Sequence, residues 1–137
     1  MSAEPVRFSQ FVVVNLAREG TASTEAYRNV VINRVNESCL RLATFEGEYR
    51  WHFHPDSDEL FVVVDGQLEI DLTDGSSLRL RPWDMVTIPA GVVHRTRATG
   101  RTINITFEHM GAGTSFVDEP DVASRGGQSM NDQGHRT

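Results

Sequence analysis

Short alternating segments separated by turn residues are the feature that most constrains how this chain can fold. The pairs Asp65-Gly66 and Asp74-Gly75 flank residues 68–72, in which apolar and charged side chains alternate. Asp-Gly pairs favour the tight turns of β-hairpins, and alternation with a period of two is typical of a half-buried strand. This part of the chain is therefore predicted to form antiparallel hairpins.

Similar segments occupy most of the sequence. The predicted strands are Phe8–Ala17, Asn29–Val35, Ser38–Phe45, Tyr49–His54, Glu59–Val64, 68–72, Ser77–Leu80, Met85–Ile88, Val92–Ala98 and Thr102–His109. Roughly ten short strands, with turn signals about every eight to twelve residues and no convincing helix pattern, predict an all-β barrel or sandwich.

Composition narrows the function classes. A chain of 137 residues is large enough for one domain with a core of its own. Its longest apolar runs span only a few residues, so no membrane span is expected, and its start lacks the basic and apolar regions of a signal peptide. The formal net charge of −6 argues against nucleic-acid and anionic-membrane partners.

Two further counts exclude particular chemistries. Cys39 is the only cysteine, so no disulfide can form within the chain, as expected for a reducing cytoplasm. All 13 basic residues are arginines, which excludes Schiff-base lysines and the lysine of a phosphate-binding loop. The absence of a Gly-x-Ser-x-Gly motif argues against a triad hydrolase.

Three histidines and one glutamate have spacings that suit a metal site. His52 and His54 lie two residues apart, so on a strand both side chains point to one face. A tight turn through residues 55–58 would let Glu59 begin the returning strand on the same face, and His94 follows a Pro-x-Gly turn. This ligand set suits one divalent transition metal, and His109 and His135 are expected outside its coordination shell.

These residues resemble the two conserved motifs of the cupin superfamily. The first motif is matched by Gly47, His52, His54, Glu59 and Gly66, with four residues rather than five between the first two. The second motif is matched by Pro89, Gly91 and His94. Trp83 and Ala98 stand where that motif has glycine and asparagine. With Pro82 before it, Trp83 is expected in a type I turn that needs no positive φ, where it shields apolar surface.

The resemblance implies a cupin (jelly-roll-like) β-barrel with the metal between its two sheets, and it carries over the same four residues as ligands. Three regions are predicted: an N-terminal strand and loop at residues 1–28, the barrel at 29–117 and a polar, disordered tail at 118–137. Related proteins commonly dimerise through N-terminal strands, so a homodimer joined through Phe8–Leu16 is expected.

Four protein ligands leave two open positions on an octahedral ion, which could be Fe, Mn, Ni, Co or Zn. We expect a metal-dependent enzyme acting on a small oxygen-bearing metabolite, of dioxygenase, isomerase, lyase or polyketide-cyclase type, with Glu59 as the candidate catalytic residue. The alternative is a non-catalytic module or sensor that binds a metal or small ligand.

Residues outside the four candidate ligands are expected to have structural or surface roles. Phe61, Val63, Ile103, Ile105 and Phe107 are expected to line an apolar pocket. Glu69, Asp71, Arg79 and Arg81 are expected on solvated strand faces, and Asp56 and Asp58 in local turn contacts. Arg41 and Arg50 could clamp a substrate carboxylate, although exposure on a strand is the simpler interpretation.

Overall fold

The computed structural model describes residues 4–120, and these residues form a strongly curled β structure. Within them one short helix, α1 (Leu16–Gly20), precedes nine strands. The strands are β1 (Tyr27–Val35), β2 (Ser38–Glu48), β3 (His52–Phe53), β4 (Glu59–Asp65), β5 (Leu68–Leu72), β6 (Ser77–Leu80), β7 (Met85–Ile88), β8 (His94–His109) and β9 (Ser115–Phe116). The predicted all-β class is confirmed.

Strand β8 connects most of the sheet, because it pairs antiparallel with β2, β3, β4 and β5. Its first half, residues 94–97, lies beside β5, whereas residues 103–107 lie beside β4. A register shift against β2 falls between Phe45 and Gly47, and an irregularity of this kind bends a strand. Two strands, 92–98 and 102–109, were predicted here; the structure joins them into one that crosses the curled sheet.

Two apolar clusters stabilise the sheet. The larger cluster draws one or two residues from each of six strands: Phe45, Phe61, Val63, Leu68, Ile70, Leu80, Ile88 and Ala98. Ala98, which replaces the asparagine of the second motif, is thus a core residue. The second cluster is built on Ile32, Leu42 and Ile103. Burial of this apolar area is the main favourable contribution to folding.

The N-terminal segment departs from the prediction. Residues 8–14 form no strand, and in the described part of this segment, from residue 4 onward, the ladder contact is a single parallel bridge between Val6 and Val31. Helix α1 begins after Asn15, whose side-chain oxygen accepts a hydrogen bond from the Arg18 N–H at 2.8 Å. An asparagine at this position is a typical N-cap, a helix signal that the preceding run of valines obscured.

The same segment packs as a cover rather than as a strand. Phe8, Val14 and Leu16 lie against the second apolar cluster, while Phe11 and Val13 are almost fully exposed. The β-branched run favours extended backbone, but it pairs with no strand among the described residues.

The turn before β7 also differs from the prediction. Trp83 has a φ of 71°, and the Asp84 N–H donates to the Arg81 carbonyl at 2.9 Å across the turn. Proline followed by a residue with positive φ is the arrangement of a type II turn, not of type I. Trp83 therefore keeps the backbone conformation that glycine supplies in the motif, and it covers little apolar surface because it is 70% exposed.

Glu69 and Asp71 are buried, not solvated as predicted. Glu69 does pair across the strands with Arg79, whose Nε donates to it at 2.9 Å. Asp71 receives hydrogen bonds from Arg95 and Arg97 of β8. Since arginine neutralises and satisfies both carboxylates, acidic side chains can occupy these buried positions.

Helices long and apolar enough to cross a membrane are absent from residues 4–120. The proposed region boundaries, at residues 28/29 and 117/118, stay predictions. Residues 121–137, with His135 and most of the predicted tail, lie outside the described part of the chain.

Candidate metal centre and cavity

The structure brings the four predicted ligand residues together. His52 lies on β3, His54 follows that strand, Glu59 begins β4 and His94 begins β8, where it pairs with His52 in register. A turn at residues 55–56 returns the chain between His54 and Glu59. All four side chains are buried, and one ligand atom from each lies within 4.8 Å of the others.

Backbone carbonyls orient all three imidazole rings. Nδ1 of His52, His54 and His94 lies 2.7, 2.9 and 2.9 Å from the carbonyl oxygens of Arg50, Gly113 and Val92, respectively. A carbonyl only accepts hydrogen bonds, so each Nδ1 carries the hydrogen and each neutral ring has its lone pair on Nε2. This is the tautomer in which histidines bind metals through Nε2.

Three buried ligand atoms at the centre of the cluster lack hydrogen bonds. Nε2 of His54, Nε2 of His94 and Oε1 of Glu59 form no hydrogen bond of acceptable geometry. Yet the glutamate oxygen lies only 3.0 Å from Nε2 of His54 and 3.5 Å from Nε2 of His94. Unsatisfied buried polar atoms are costly, and a cation among them would satisfy all three. The donor set thus fits a divalent transition metal.

Without an ion, the cluster holds a proton. Burial lowers the pKa of His52 to about 4. Burial opposes charge on His54 too, but close contact with Glu59 outweighs it and raises the pKa of His54 to about 9. Burial alone would raise the pKa of Glu59, whereas its contacts with His54 and His94 lower it to about 2. A metal ion would therefore displace a proton from His54 at neutral pH.

A cavity of about 330 Å³ extends from this cluster, and His52, His54 and Glu59 line it. The predicted apolar lining is largely wrong, because Phe61 lines the cavity but Val63, Ile103, Ile105 and Phe107 do not. Polar residues of β8 take their place: Asn104, Thr106 and Glu108.

Strand β8 faces the opposite way from the prediction. Asn104, Thr106 and Glu108 share the face towards the cavity, while Ile103 and Ile105 belong to the second apolar cluster on the other face. Alternation shows which residues share a face but not which face looks inward. Here the N-terminal segment covers the other face, so apolar residues are buried there as well.

The two candidate arginines have different positions. Arg41 is half-buried and lines the cavity, with its guanidinium bound to Glu4, Asn29 and Glu108. Arg50 is exposed and stacks over the Phe116 ring, 3.9 Å from its centroid. Neither guanidinium is thus placed as an unoccupied clamp for a carboxylate.

The turn between His54 and Glu59 is held by contacts distant in sequence. Oδ1 of Asp56 accepts from the Gly113 N–H at 3.1 Å, and Oδ1 of Asp58 accepts from the Ala90 N–H at 2.9 Å. The predicted local turn contacts are therefore wrong for both residues. Their bonds tie the ligand turn to the loops before β8 and β9, which restrains the ligand geometry.

Glu108 is the ionisable residue among the cavity-lining residues of β8 that sequence reasoning missed. It is buried, and burial followed by the negative charge of Glu59 raises its pKa. Its place in the alternation with Asn104 and Thr106 was the available signal, once the inward face of β8 is known. The neighbouring His109 is exposed and is not part of the metal-ligand cluster.

Residues 41–107 match the cupin domain family. The uncharacterized protein YdbB of Bacillus subtilis is 47% identical over 105 residues, which cover 77% of this chain and 93% of that protein. An acireductone dioxygenase of Candida albicans is 26% identical over 138 residues, covering 87% of this chain and 74% of that enzyme.

A solved structure shows the same fold. The crystal structure of a cupin-2 domain containing protein from Shewanella frigidimarina superposes with a TM-score of 0.67. The two sequences are 31% identical, and the match covers 71% of this chain and 94% of that one. Together with the barrel topology and the two motifs, this similarity identifies the chain as a member of the cupin family.

Proposed function

We propose that this chain is a metal-dependent cupin enzyme that acts on a small oxygen-bearing metabolite. One divalent transition metal, of Fe, Mn, Ni, Co or Zn, would be held by His52, His54, Glu59 and His94. The observation that carries the proposal is the convergence of four buried ligand atoms within 4.8 Å at the edge of a cavity. The cavity volume of about 330 Å³ is adequate for a small molecule.

The protein's own contribution is orientation and charge. Carbonyl groups fix the three imidazoles, and Glu59 is the only anion among the four ligands, which makes it the residue that sets the charge of the centre. When bound, the metal would supply Lewis acidity at the positions that the four side chains leave open. The similarity to a dioxygenase supports beginning a substrate screen with oxygen-dependent reactions.

Elemental analysis of the purified protein, followed by a substrate screen with and without O₂, tests the proposal. We expect about one equivalent of metal per chain, with His52→Gln losing it. His109→Gln is the matched control, because His109 is exposed and lies outside the cluster. Failure of the wild type to retain metal after aerobic and anaerobic loading would contradict the metal site. Metal with ligand binding but no turnover would favour the binding module.

Two further expectations accompany the proposal. We infer a homodimer, and the almost fully exposed Phe11 and Val13 are the surface that supports it.

A cytoplasmic location is supported by the lone, buried cysteine, Cys39, which forms no disulfide with another residue of the chain.

A further inference from the structure

Glu108, on the cavity wall formed by β8, has one carboxylate oxygen without a partner. Its side chain is 6% exposed, and Oε2 accepts a hydrogen bond from Nε of Arg41 at 2.8 Å. Oε1 is buried and makes no hydrogen bond within the described part of the chain. An unpartnered buried acceptor on an ionisable group is costly, and a donor supplied by a ligand would remove that cost.

Among residues 4–120, the cavity lining offers no spare positive charge for an anionic ligand. Arg41 is the only arginine of that described lining, and its guanidinium already contacts Glu4, Asn29 and Glu108. Glu4, Glu59 and Glu108 are the lining carboxylates. A divalent ion would offset two of these negative charges and Arg41 the third, so a carboxylate or phosphate on the ligand would meet no uncompensated cation.

Aromatic rings provide another part of the lining. Tyr27 and Tyr49 are stacked, with ring centroids 5.3 Å apart, and Phe45 packs edge-on against Tyr27 at 5.9 Å. Tyr49 also lies edge-on to His52 at 5.3 Å, which brings this aromatic surface up to the metal-ligand cluster. Flat apolar surfaces of this kind suit the uncharged, planar part of a ligand.

We propose that Glu108 binds the ligand directly by accepting a hydrogen bond from a hydroxyl group. The cavity then selects neutral, hydroxyl-bearing molecules with a flat apolar part over carboxylates and phosphates. This assignment rests on the proposed function, because the charge balance requires a divalent ion at the four ligands.

Glu108→Gln changes the group that faces the cavity. Arg41 would hold the amide oxygen, so an NH₂ donor would replace the carboxylate acceptor. The probes are catechol, its monomethyl ether, which lacks one hydroxyl donor, and salicylate, which exchanges one hydroxyl for a carboxylate. Calorimetric titration of the Zn²⁺-loaded full chain should show catechol binding about tenfold more tightly than either analogue. Glu108→Gln should abolish that preference.

Two more variants keep the test decisive. Glu69→Gln is the matched control, since Glu69 is a buried carboxylate paired with an arginine but lies outside the cavity lining, and it should keep the preference. If Glu108→Gln does not fold, Glu108→Asp should weaken catechol binding several-fold, because the retracted acceptor no longer reaches the hydroxyl.

The outcomes separate this assignment from the proposed metal site. No catechol binding by the Zn²⁺-loaded wild type, an unchanged preference in the Glu108 variants, or tightest binding of salicylate would overturn the role of Glu108. Each of these results leaves the metal site standing, because it is obtained on protein that holds zinc. Failure of the wild type to bind Zn²⁺ at all would instead overturn the proposed function.

Discussion

Replacing Asp71 with asparagine should destabilise the protein through the loss of one buried charge. Asp71 is 1% exposed, and its oxygens accept hydrogen bonds from Ser77 at 2.6 Å, from Arg95 at 2.9 Å and from Arg97 at 2.8 Å. The substituted side chain would keep the shape of the original but not its charge, and its NH₂ group would face guanidinium donors. Two arginines of β8 would thereby lose their shared counterion.

The pKa of Asp71 gives the magnitude. Burial raises this pKa, but the hydrogen bonds from Arg97, Ser77 and Arg95 outweigh burial and lower it from 3.8 to about 2. Since one pKa unit corresponds to about 1.4 kcal/mol, the ionised carboxylate contributes about 2–3 kcal/mol to the free energy of unfolding at pH 7. The folded pKa is the lower one, so this stability is complete above the unfolded pKa and is lost as pH falls towards 2.

Urea unfolding of wild type and Asp71→Asn at pH 7 and pH 3 measures the effect. We expect a loss of about 2–3 kcal/mol at pH 7 and roughly half of that at pH 3, because asparagine does not titrate. Asp65→Asn, the same change at an exposed strand end, should stay within about 0.5 kcal/mol of the wild type. A loss below about 0.5 kcal/mol at pH 7, or one that does not shrink at pH 3, would refute this account of Asp71.

Three other variants test separate features. Glu59→Gln should weaken metal binding at least about tenfold in a chelator competition, because it removes the only anionic ligand of the four. When this variant is reloaded with metal to full occupancy, it should still lose most of its turnover. Unchanged turnover would limit Glu59 to a structural role. Trp83→Gly should raise the free energy of unfolding by about 0.5–1 kcal/mol, since glycine adopts the observed φ of 71° without strain, whereas no gain would argue against strain at this turn. Phe11→Ser combined with Val13→Ser should convert the expected homodimer into a monomer, as measured by light scattering, without lowering the melting temperature of the monomer. A wild-type protein that is already monomeric at micromolar concentration would contradict the dimer.

Some of the strands whose ends are marked by turn residues could be predicted from the sequence to the residue. Ser77–Leu80 and Met85–Ile88 were predicted with the bounds that the structure has, because Asp74-Gly75, Pro82 and Pro89 delimit them. The grouping of the four candidate ligands also follows from local geometry, namely the spacing of two residues on a strand and the tight turn that follows it.

Features that depend on distant contacts could not be predicted in this way. Nothing local distinguishes the buried Asp71 from a solvated strand residue, because the arginines that satisfy it lie more than twenty residues later on β8. Likewise, the apolar N-terminal run resembles a strand until Phe8 and Leu16 are seen packing against the sheet. The orientation of β8, and with it the place of Glu108 in the cavity, was undetermined for the same reason.

Because side chains on both faces of β8 are buried, insertions and deletions within this strand should be poorly tolerated. Between residues 103 and 108, Asn104, Thr106 and Glu108 line the cavity, and Ile103 and Ile105 on the other face pack in the second apolar cluster. A substitution there alters one face, whereas a single inserted or deleted residue would exchange the two and send Asn104 and Glu108 into the apolar cluster. We therefore expect length variation to be confined to hairpin turns such as Asn36-Glu37, where an added residue leaves every side chain of β8 on its own side.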